Sequence, residues 1–245
     1  MKAAHSFAKL DMYLSDAALP LFSALEDWMK EEMVGIDDIT SPHIGFSFGQ
    51  ICGIDFVRAD PGTYSYLATL SLTQKTVPPG FYHSVLITPL HGGLEKPEDF
   101  EPERHLVAIN ELSSFSGSTV FASHMLGRGD KSFPRYVVSG GHLNSVQMVS
   151  EGKVMLAAID RLSLNLANLQ SPEQMEHIRI LGRTRDYPGL PFVAPGHLSS
   201  DVIRRLTRHL LDFAGREVFV QVAPSLGING IVRLLPEQYD VMKEI

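Results

Sequence analysis

The chain has 245 residues, of which 44% are hydrophobic and 20% charged, the balance of an ordinary globular protein with enough apolar side chains for a full core. Its formal net charge is −7 and its pI about 5.8, with no Lys/Arg run, which excludes a nucleic-acid binder that works through bulk charge. A single cysteine, Cys52, excludes an intrachain disulfide and a thiolate metal cluster. The longest apolar run, Val154 to Ile159, is far too short to span a bilayer, so no membrane insertion is expected. The opening Met-Lys-Ala-Ala-His-Ser-Phe-Ala has no apolar stretch of signal-peptide length. As written the chain reads as cytoplasmic, and as periplasmic if a leader has been removed.

In chain order, residues 8–14 read as a strand. A helix follows, with Ser15 or Asp16 as its cap, Ala18, Leu21, Phe22, Leu25, Trp28 and Met29 on one face, and Gly35 at its end. Strand patterns recur at 43–48, 63–72 and 84–88, with a Gly-rich turn at 49–53 and Pro78-Pro79-Gly80 before the last of them. Residues 91–104 are polar and read as a loop with one helical turn. Then come a strand at 105–110, a Ser/Gly turn at 113–118, a helix at 119–125 and a strand at 135–138. A helix at 142–151 is closed by Gly152. It is followed by a strand at 154–159, a helix at 161–169 and a strand at 178–183. Residues 187–196 hold three prolines and two glycines and read as a crossing between lobes. Ser199 or Ser200 caps a helix with Val202, Ile203, Leu206, Leu210 and Phe213 as its buried stripe, and Pro236 opens a last helix.

This alternation predicts α/β architecture with largely parallel sheets. The Pro/Gly-rich junctions near 78–90 and 187–196 predict two lobes. Lobe 1 is discontinuous, residues 1–88 plus 190–245, and lobe 2 is residues 89–189.

Three places can carry chemistry. Between a strand and a helix lies Asn110-Glu111-Leu112-Ser113-Ser114-Phe115-Ser116-Gly117-Ser118-Thr119. Its hydroxyls, with the free N–H groups of a helix start, can cradle an anion without lysine, or they can simply cap the helix. Ser139-Gly140-Gly141-His142 repeats the arrangement with an imidazole that is a ligand contact or a structural residue. Asp160 ends an apolar strand, where it faces a ligand or caps the next helix. Gly45-Phe46-Ser47-Phe48-Gly49 matches G-x-S-x-G, but too little sheet precedes it for a nucleophile elbow. H-E-x-x-H, P-loop and zinc-type spacings are absent, so neither a metal nor a cofactor is expected.

Taken in order, several segments resemble the phosphate/phosphonate/phosphite-type solute-binding proteins of ABC transporters, in a short form. They are Leu10-Asp11-Met12-Tyr13, Phe48-Gly49-Gln50-Ile51-Cys52-Gly53 and Pro79-Gly80-Phe81-Tyr82-His83-Ser84-Val85. Asn110-Glu111 with Ser114-Phe115-Ser116-Gly117, Gly140-Gly141-His142 and Ala157-Ala158-Ile159-Asp160 follow. The last are Leu181-Gly182-Arg183-Thr184 and Pro188-Gly189-Leu190-Pro191-Phe192.

The resemblance implies a two-lobed type II periplasmic-binding fold with two hinge crossings and the ligand in the cleft. It implies that Tyr13, Gln50 and Tyr82 face the cleft from the first lobe. Ser114, Ser116 and Gly117 would hold the anion, with His142 and Asp160 closing over it and Ser84, Asn110 and Ser118 completing the set. The implied ligand is a small oxyanion such as phosphate, phosphite or a phosphonate, the implied partner an ABC permease, and no catalytic residue follows. The family's serine loop commonly has Thr where this chain has Phe115, and an acid where it has Met155. The alternative is a cytosolic enzyme or ligand sensor of the same fold acting on a small carboxylate, as in the menaquinone pathway. In that case Asp160 or His142 is the acid or base.

Overall fold

The computed structural model describes residues 6–36, 39, 44–127 and 132–245. Of the expected second strand, His43 lies outside the described residues. The chain divides into two compact units. Unit 1 is the N-terminal part up to Phe81 together with Pro188–Lys243; unit 2 is Tyr82–Tyr187, with which Glu244–Ile245 also group. The chain therefore passes between them at Phe81–Tyr82, in β4 (Phe81–Tyr82), and at Tyr187–Pro188, in β10 (Tyr187–Pro188).

Among its described residues unit 1 holds a five-stranded sheet. It is made of β1 (Ser6–Lys9), β2 (Phe46–Gln50), β3 (Tyr64–Leu72), β11 (Pro191–Pro195) and β12 (Ile228–Val232), in the order β1-β2-β11-β3-β12. Helix α1 (Leu19–Met33) packs on α7 (Ser200–Asp212) and α8 (Glu217–Leu226), and α7 lies on β3. The expected apolar stripes carry this packing: Leu21, Phe22, Leu25 and Met29 of α1 and Leu206 and Leu210 of α7 are all buried. Trp28 is only half-buried. The other apolar face gathers Phe46, Ile51 and Val193, with Phe56 and Tyr64 against them.

Unit 2 is built on β5 (Ser84–Pro89), β6 (Val107–Ile109), β7 (Tyr136–Val138), β8 (Leu156–Asp160) and β9 (Ile178–Arg183), ordered β7-β6-β8-β5-β9. Alternation along these strands feeds two separate apolar layers. Val85, Ile87, Ala108, Ala157 and Ile159 point to α4 (His142–Ser150) and α5 (Arg161–Gln170), where Val146, Val149 and Leu164 meet them. Leu86, Val107, Ile109, Leu156 and Ala158 point the other way, to Phe121 of α3 (Val120–Leu126) and to Phe100 and Phe133. Both faces are covered, which is why these strands read as unbroken apolar runs.

Both sheets are mixed, which corrects the expectation of largely parallel ones. In unit 1 β1 runs parallel to β2, but β11 is antiparallel to both β2 and β3, and β12 to β3. In unit 2 β6, β7 and β8 are parallel, whereas β5 is antiparallel to β8 and β9. Strands β5 and β11 each follow a crossing, which accounts for their direction, whereas β12 is antiparallel to β3 although it adjoins neither crossing.

Other differences are local. The first strand is Ser6–Lys9 and not 8–14, and the first helix starts at Leu19 with no side-chain cap; Ser15 instead accepts the Ala18 N–H at 3.2 Å in the turn before it. Residues 187–196 contain a fully buried central strand, β11, as well as a crossing. Its prolines stand at its two ends, where a missing N–H is tolerated, and Phe192 and Val193 supply the interior. Helices α2 (Gly53–Arg58), α6 (Pro172–Met175) and α8 and strand β12 were not expected; α2 and α6 are short, α8 has Pro224 within it and β12 carries Asn229-Gly230. The last helix is a 3₁₀ segment, Pro236–Glu244. Ser47 lies inside β2, buried, with the next helix starting only at Gly53, so no nucleophile elbow exists there.

Candidate functional site

Three parallel strands of unit 2, β7, β6 and β8, end side by side, and the residues expected to carry chemistry follow their carboxyl ends. This is the edge at which open α/β sheets hold ligands. Asn110 comes directly after β6, His142 after the turn that leaves β7, and Asp160 is the last residue of β8. The β6 and β7 ends are stitched together: Ser139 N–H donates to the Ile109 carbonyl at 2.8 Å and Gly140 N–H to the Asn110 carbonyl at 2.9 Å. Ser139 Oγ lies 3.2 Å from the Ile109 carbonyl, 3.0 Å from the Gly141 carbonyl and 2.7 Å from Ser145 Oγ, with its one proton shared among these acceptors. That hydroxyl fixes where α4 begins, a positioning role that its place in a Ser-Gly-Gly turn could have signalled.

The serine turn is a π-helical turn, Phe115–Thr119, that runs on into α3. Ser114 caps it, its Oγ accepting from Gly117 N–H at 3.2 Å. Capping and anion binding are therefore compatible here, because the hydroxyl proton is still available to donate. Ser116 Oγ stands 2.9 Å from His142 Nε2. Ser84 Oγ donates to the Ser116 carbonyl at 3.0 Å, tying the turn to β5, and Ser84 sits opposite Asp160 in the β5/β8 pairing. Ser118 is buried in the same turn. Phe115, in the place of a threonine, turns inward and packs edge-on against Tyr187 with centroids 4.8 Å apart.

Gly117 is required by what it touches. A Cβ there would overlap the Asn110 carboxamide oxygen, and it would stand 2.7 Å from Asn110 Cγ and 3.0 Å from His142 Cε1. Two polar atoms in this cluster are buried without a partner, Asn110 Oδ1 and His142 Nδ1. Leaving such groups unpaired costs about 1–3 kcal/mol each. Burial pushes the His142 imidazole down to about 4, so it is neutral at pH 7. Asp160 Oδ1 accepts from Leu162 N–H at 2.8 Å and Ser163 N–H at 3.1 Å and so caps α5. Neither the 110–119 nor the 139–145 segment contains Lys or Arg, so these segments offer hydroxyls and peptide N–H groups and no cation.

Unit 2 thus brings together Ser84, Asn110, Ser114, Ser116, Gly117 and His142, with Asp160 beside Ser84 and Ser118 in the turn. Tyr82, buried, opens unit 2 on β4. Tyr13 and Gln50 belong to unit 1. Tyr13 is buried and stacks on Phe22 at 6.3 Å. Gln50 Nε2 donates to the Leu190 carbonyl at 3.4 Å while its Oε1 is buried without a partner. Thr184 was not expected: its Oγ1 accepts the Ser84 N–H at 3.0 Å and its own N–H donates back to the Ser84 carbonyl. Among the described residues no group of His, Cys, Asp and Glu could hold a metal ion.

The fold has known counterparts. A binding-protein component of an ABC phosphonate transporter from Pseudomonas aeruginosa superposes with a TM-score of 0.76 at 15% identity, over 99% of this chain and 85% of that one. PhnD1 from Prochlorococcus marinus, in complex with methylphosphonate, gives 0.69 at 12% identity over 98% and 97%. MatC from Rhodopseudomonas palustris, with bound malate, gives 0.62 at 10% identity over 98% and 95%. These likenesses define a type II periplasmic-binding fold. At the level of sequence, residues 48–239 match the family described as ABC transporter, phosphonate, periplasmic substrate-binding protein, and the chain belongs to that family. No protein of curated function matches it by sequence. Among the described residues no helix is long and apolar enough to cross a membrane.

Proposed function

We propose that the chain binds a small oxyanion, phosphate, phosphite or an alkylphosphonate, and delivers it to an ABC permease. The observation that carries this reading is the Ser116–His142 contact beside the Ser114 cap, which sets two hydroxyls at the carboxyl edge of the unit 2 sheet. Neutral donors suit an oxyanion that must also be released, because a bond from lysine or arginine is charge-assisted and roughly twice as strong.

The test is a thermal-shift series at pH 7 with inorganic phosphate, phosphite, methylphosphonate and malate, repeated on Ser114→Ala and Ser116→Ala. A ligand at 100 times its Kd stabilises the folded chain by about 2.7 kcal/mol. Stabilisation by a phosphorus oxyanion that both alanine variants lose supports the reading. Stabilisation by malate alone would move the ligand to the dicarboxylates. No response to any of the four would overturn the reading.

A further inference from the structure

We propose that Asp186 exchanges partners with pH: Arg183 holds it at neutral pH and His83 takes it over in acid, so that a proton fastens together the places where the chain enters and leaves unit 2. His83 directly follows the first crossing, and Asp186 directly precedes the second. Asp186 Oδ1 lies 2.5 Å from Arg183 Nη1 and 3.3 Å from His83 Nδ1. The same Arg183 nitrogen stands 3.0 Å from His83 Nδ1. The Arg183 pair is local, three residues apart, whereas the His83 pair joins segments 103 residues apart. Next to it Ser84 and Thr184 are already joined, the Ser84 N–H donating to Thr184 Oγ1 at 3.0 Å and the Thr184 N–H to the Ser84 carbonyl at 2.9 Å. A His83–Asp186 bond extends that seam outward to the crossings.

A guanidinium only donates, so the 3.0 Å contact requires a lone pair on His83 Nδ1. Neutral His83 therefore carries its proton on Nε2, and Arg183 bridges the imidazole and the carboxylate. A proton added at Nδ1 meets Arg183 as donor against donor and cation against cation. It meets Asp186 as donor against acceptor. Arg183 is the member free to leave, because its side chain is 44% exposed and that of His83 only 10%. The charged groups facing the imidazole are Arg183 at the end of β9, Asp186 beyond it and Arg161 at the start of α5. Burial first, then Arg183 and more weakly Arg161, holds the His83 pKa below the ordinary 6.5, with Asp186 opposing them. The exchange therefore belongs to acid conditions, and at neutral pH Arg183 keeps the carboxylate.

Nitrogen NMR of the full chain with labelled histidine tests this, His83→Gln assigning the signal. At pH 7 His83 should be the Nε2–H tautomer. Its titration midpoint should rise in Arg183→Gln and fall in Asp186→Asn. Double-mutant cycles by urea unfolding, run on either side of the midpoint, then separate the partners. Above it Arg183→Gln and Asp186→Asn should be coupled by about 3–10-fold in the unfolding constant, the worth of a partly exposed charged bond. His83→Gln and Asp186→Asn should there be coupled by less than about twofold, as independent sites are. Below the midpoint the larger coupling should pass to the His83 pair. If acid unfolds the wild type first, the low-pH cycle is run in Arg183→Gln, whose raised midpoint brings the His83–Asp186 coupling into the folded range. An Nδ1–H tautomer at pH 7 would overturn the exchange, because His83 would already hold the carboxylate. So would a midpoint that Arg183→Gln leaves unchanged, or the absence of His83–Asp186 coupling below the midpoint.

Discussion

Trp28 of α1 and His209 of α7 hold each other by two reciprocal hydrogen bonds. The indole Nε1–H donates to the His209 carbonyl at 2.8 Å and His209 Nε2–H donates to the Trp28 carbonyl at 2.7 Å. Their rings are stacked with centroids 4.0 Å apart and planes 6° from parallel, and the Arg216 guanidinium sits 4.6 Å from the indole centroid. A carbonyl only accepts, so the pair fixes the His209 tautomer with its proton on Nε2. The clamp joins two helices that are remote in sequence. His209→Ala should lower unfolding stability by about 2–3 kcal/mol, the sum of a lost bond to the Trp28 main-chain carbonyl and lost ring packing. Urea denaturation followed by far-UV circular dichroism measures it. A loss below about 0.5 kcal/mol would mean that α1 and α7 are held by their apolar stripes alone.

Gly117→Ala tests the serine turn itself. The added Cβ would collide with the Asn110 carboxamide and crowd His142 Cε1. Overpacking of this kind costs about 1–3 kcal/mol. We expect a drop in melting temperature together with loss of oxyanion binding, because Asn110 and the turn must part. A variant that melts at the wild-type temperature and still binds would show that the turn has slack.

His142 gives the chain an acid-sensitive element. Its folded-state pKa, about 4, lies below the ordinary histidine value of 6.5, so the unfolded chain takes up the proton first as the pH falls. The contribution is fully present above pH 6.5 and declines between there and about pH 4, by at most about 3 kcal/mol. Denaturation midpoints across that window should fall less steeply in His142→Gln than in wild type. Identical slopes would place the acid sensitivity elsewhere, for instance at His83, which burial and the neighbouring Arg183 also push down against Asp186.

The carboxyl-edge residues are visible in the sequence because strand and helix patterns flank short polar turns there, rich in serine and glycine and ending at His142. Unit 2 is legible for the same reason: α4 and α5 begin where the pattern places them, at His142 and Arg161. Sheet direction is not legible, since β5 and β11 read as strands or prolines and nothing local states which way their neighbours run. Strand β11 hides behind its flanking prolines, and α8 behind Pro224, because tertiary packing overrides the local breaker in both. The Ser114 cap on Gly117 N–H and the orphaned oxygen of Asn110 need coordinates, for both depend on contacts that a one-dimensional pattern does not encode.

The C-terminal segment is a fastening for the crossing it covers within unit 1. Tyr239, fully buried, donates its hydroxyl to the Gly189 carbonyl at 2.7 Å and packs edge-on against Phe56 and Tyr66. Gly189 itself has no room for a side chain, since a Cβ would stand 2.7 Å from Thr69 Oγ1 and 3.1 Å from the Gly80 carbonyl. Tyr239→Phe keeps the ring and leaves the Gly189 carbonyl without that donor, so it should cost about 1–2 kcal/mol. Burial raises the Tyr239 phenol well above its ordinary value of 10.0. The unfolded chain therefore loses this proton first, and stability should fall as the pH rises above about 10. Tyr239→Phe should flatten part of that alkaline loss, with Tyr66, also raised by burial, supplying some of the remainder. Equilibrium unfolding in urea between neutral and strongly alkaline pH decides it. A variant as stable as wild type at neutral pH, with the same alkaline slope, would show that the tail is held by ring packing and not by its hydroxyl.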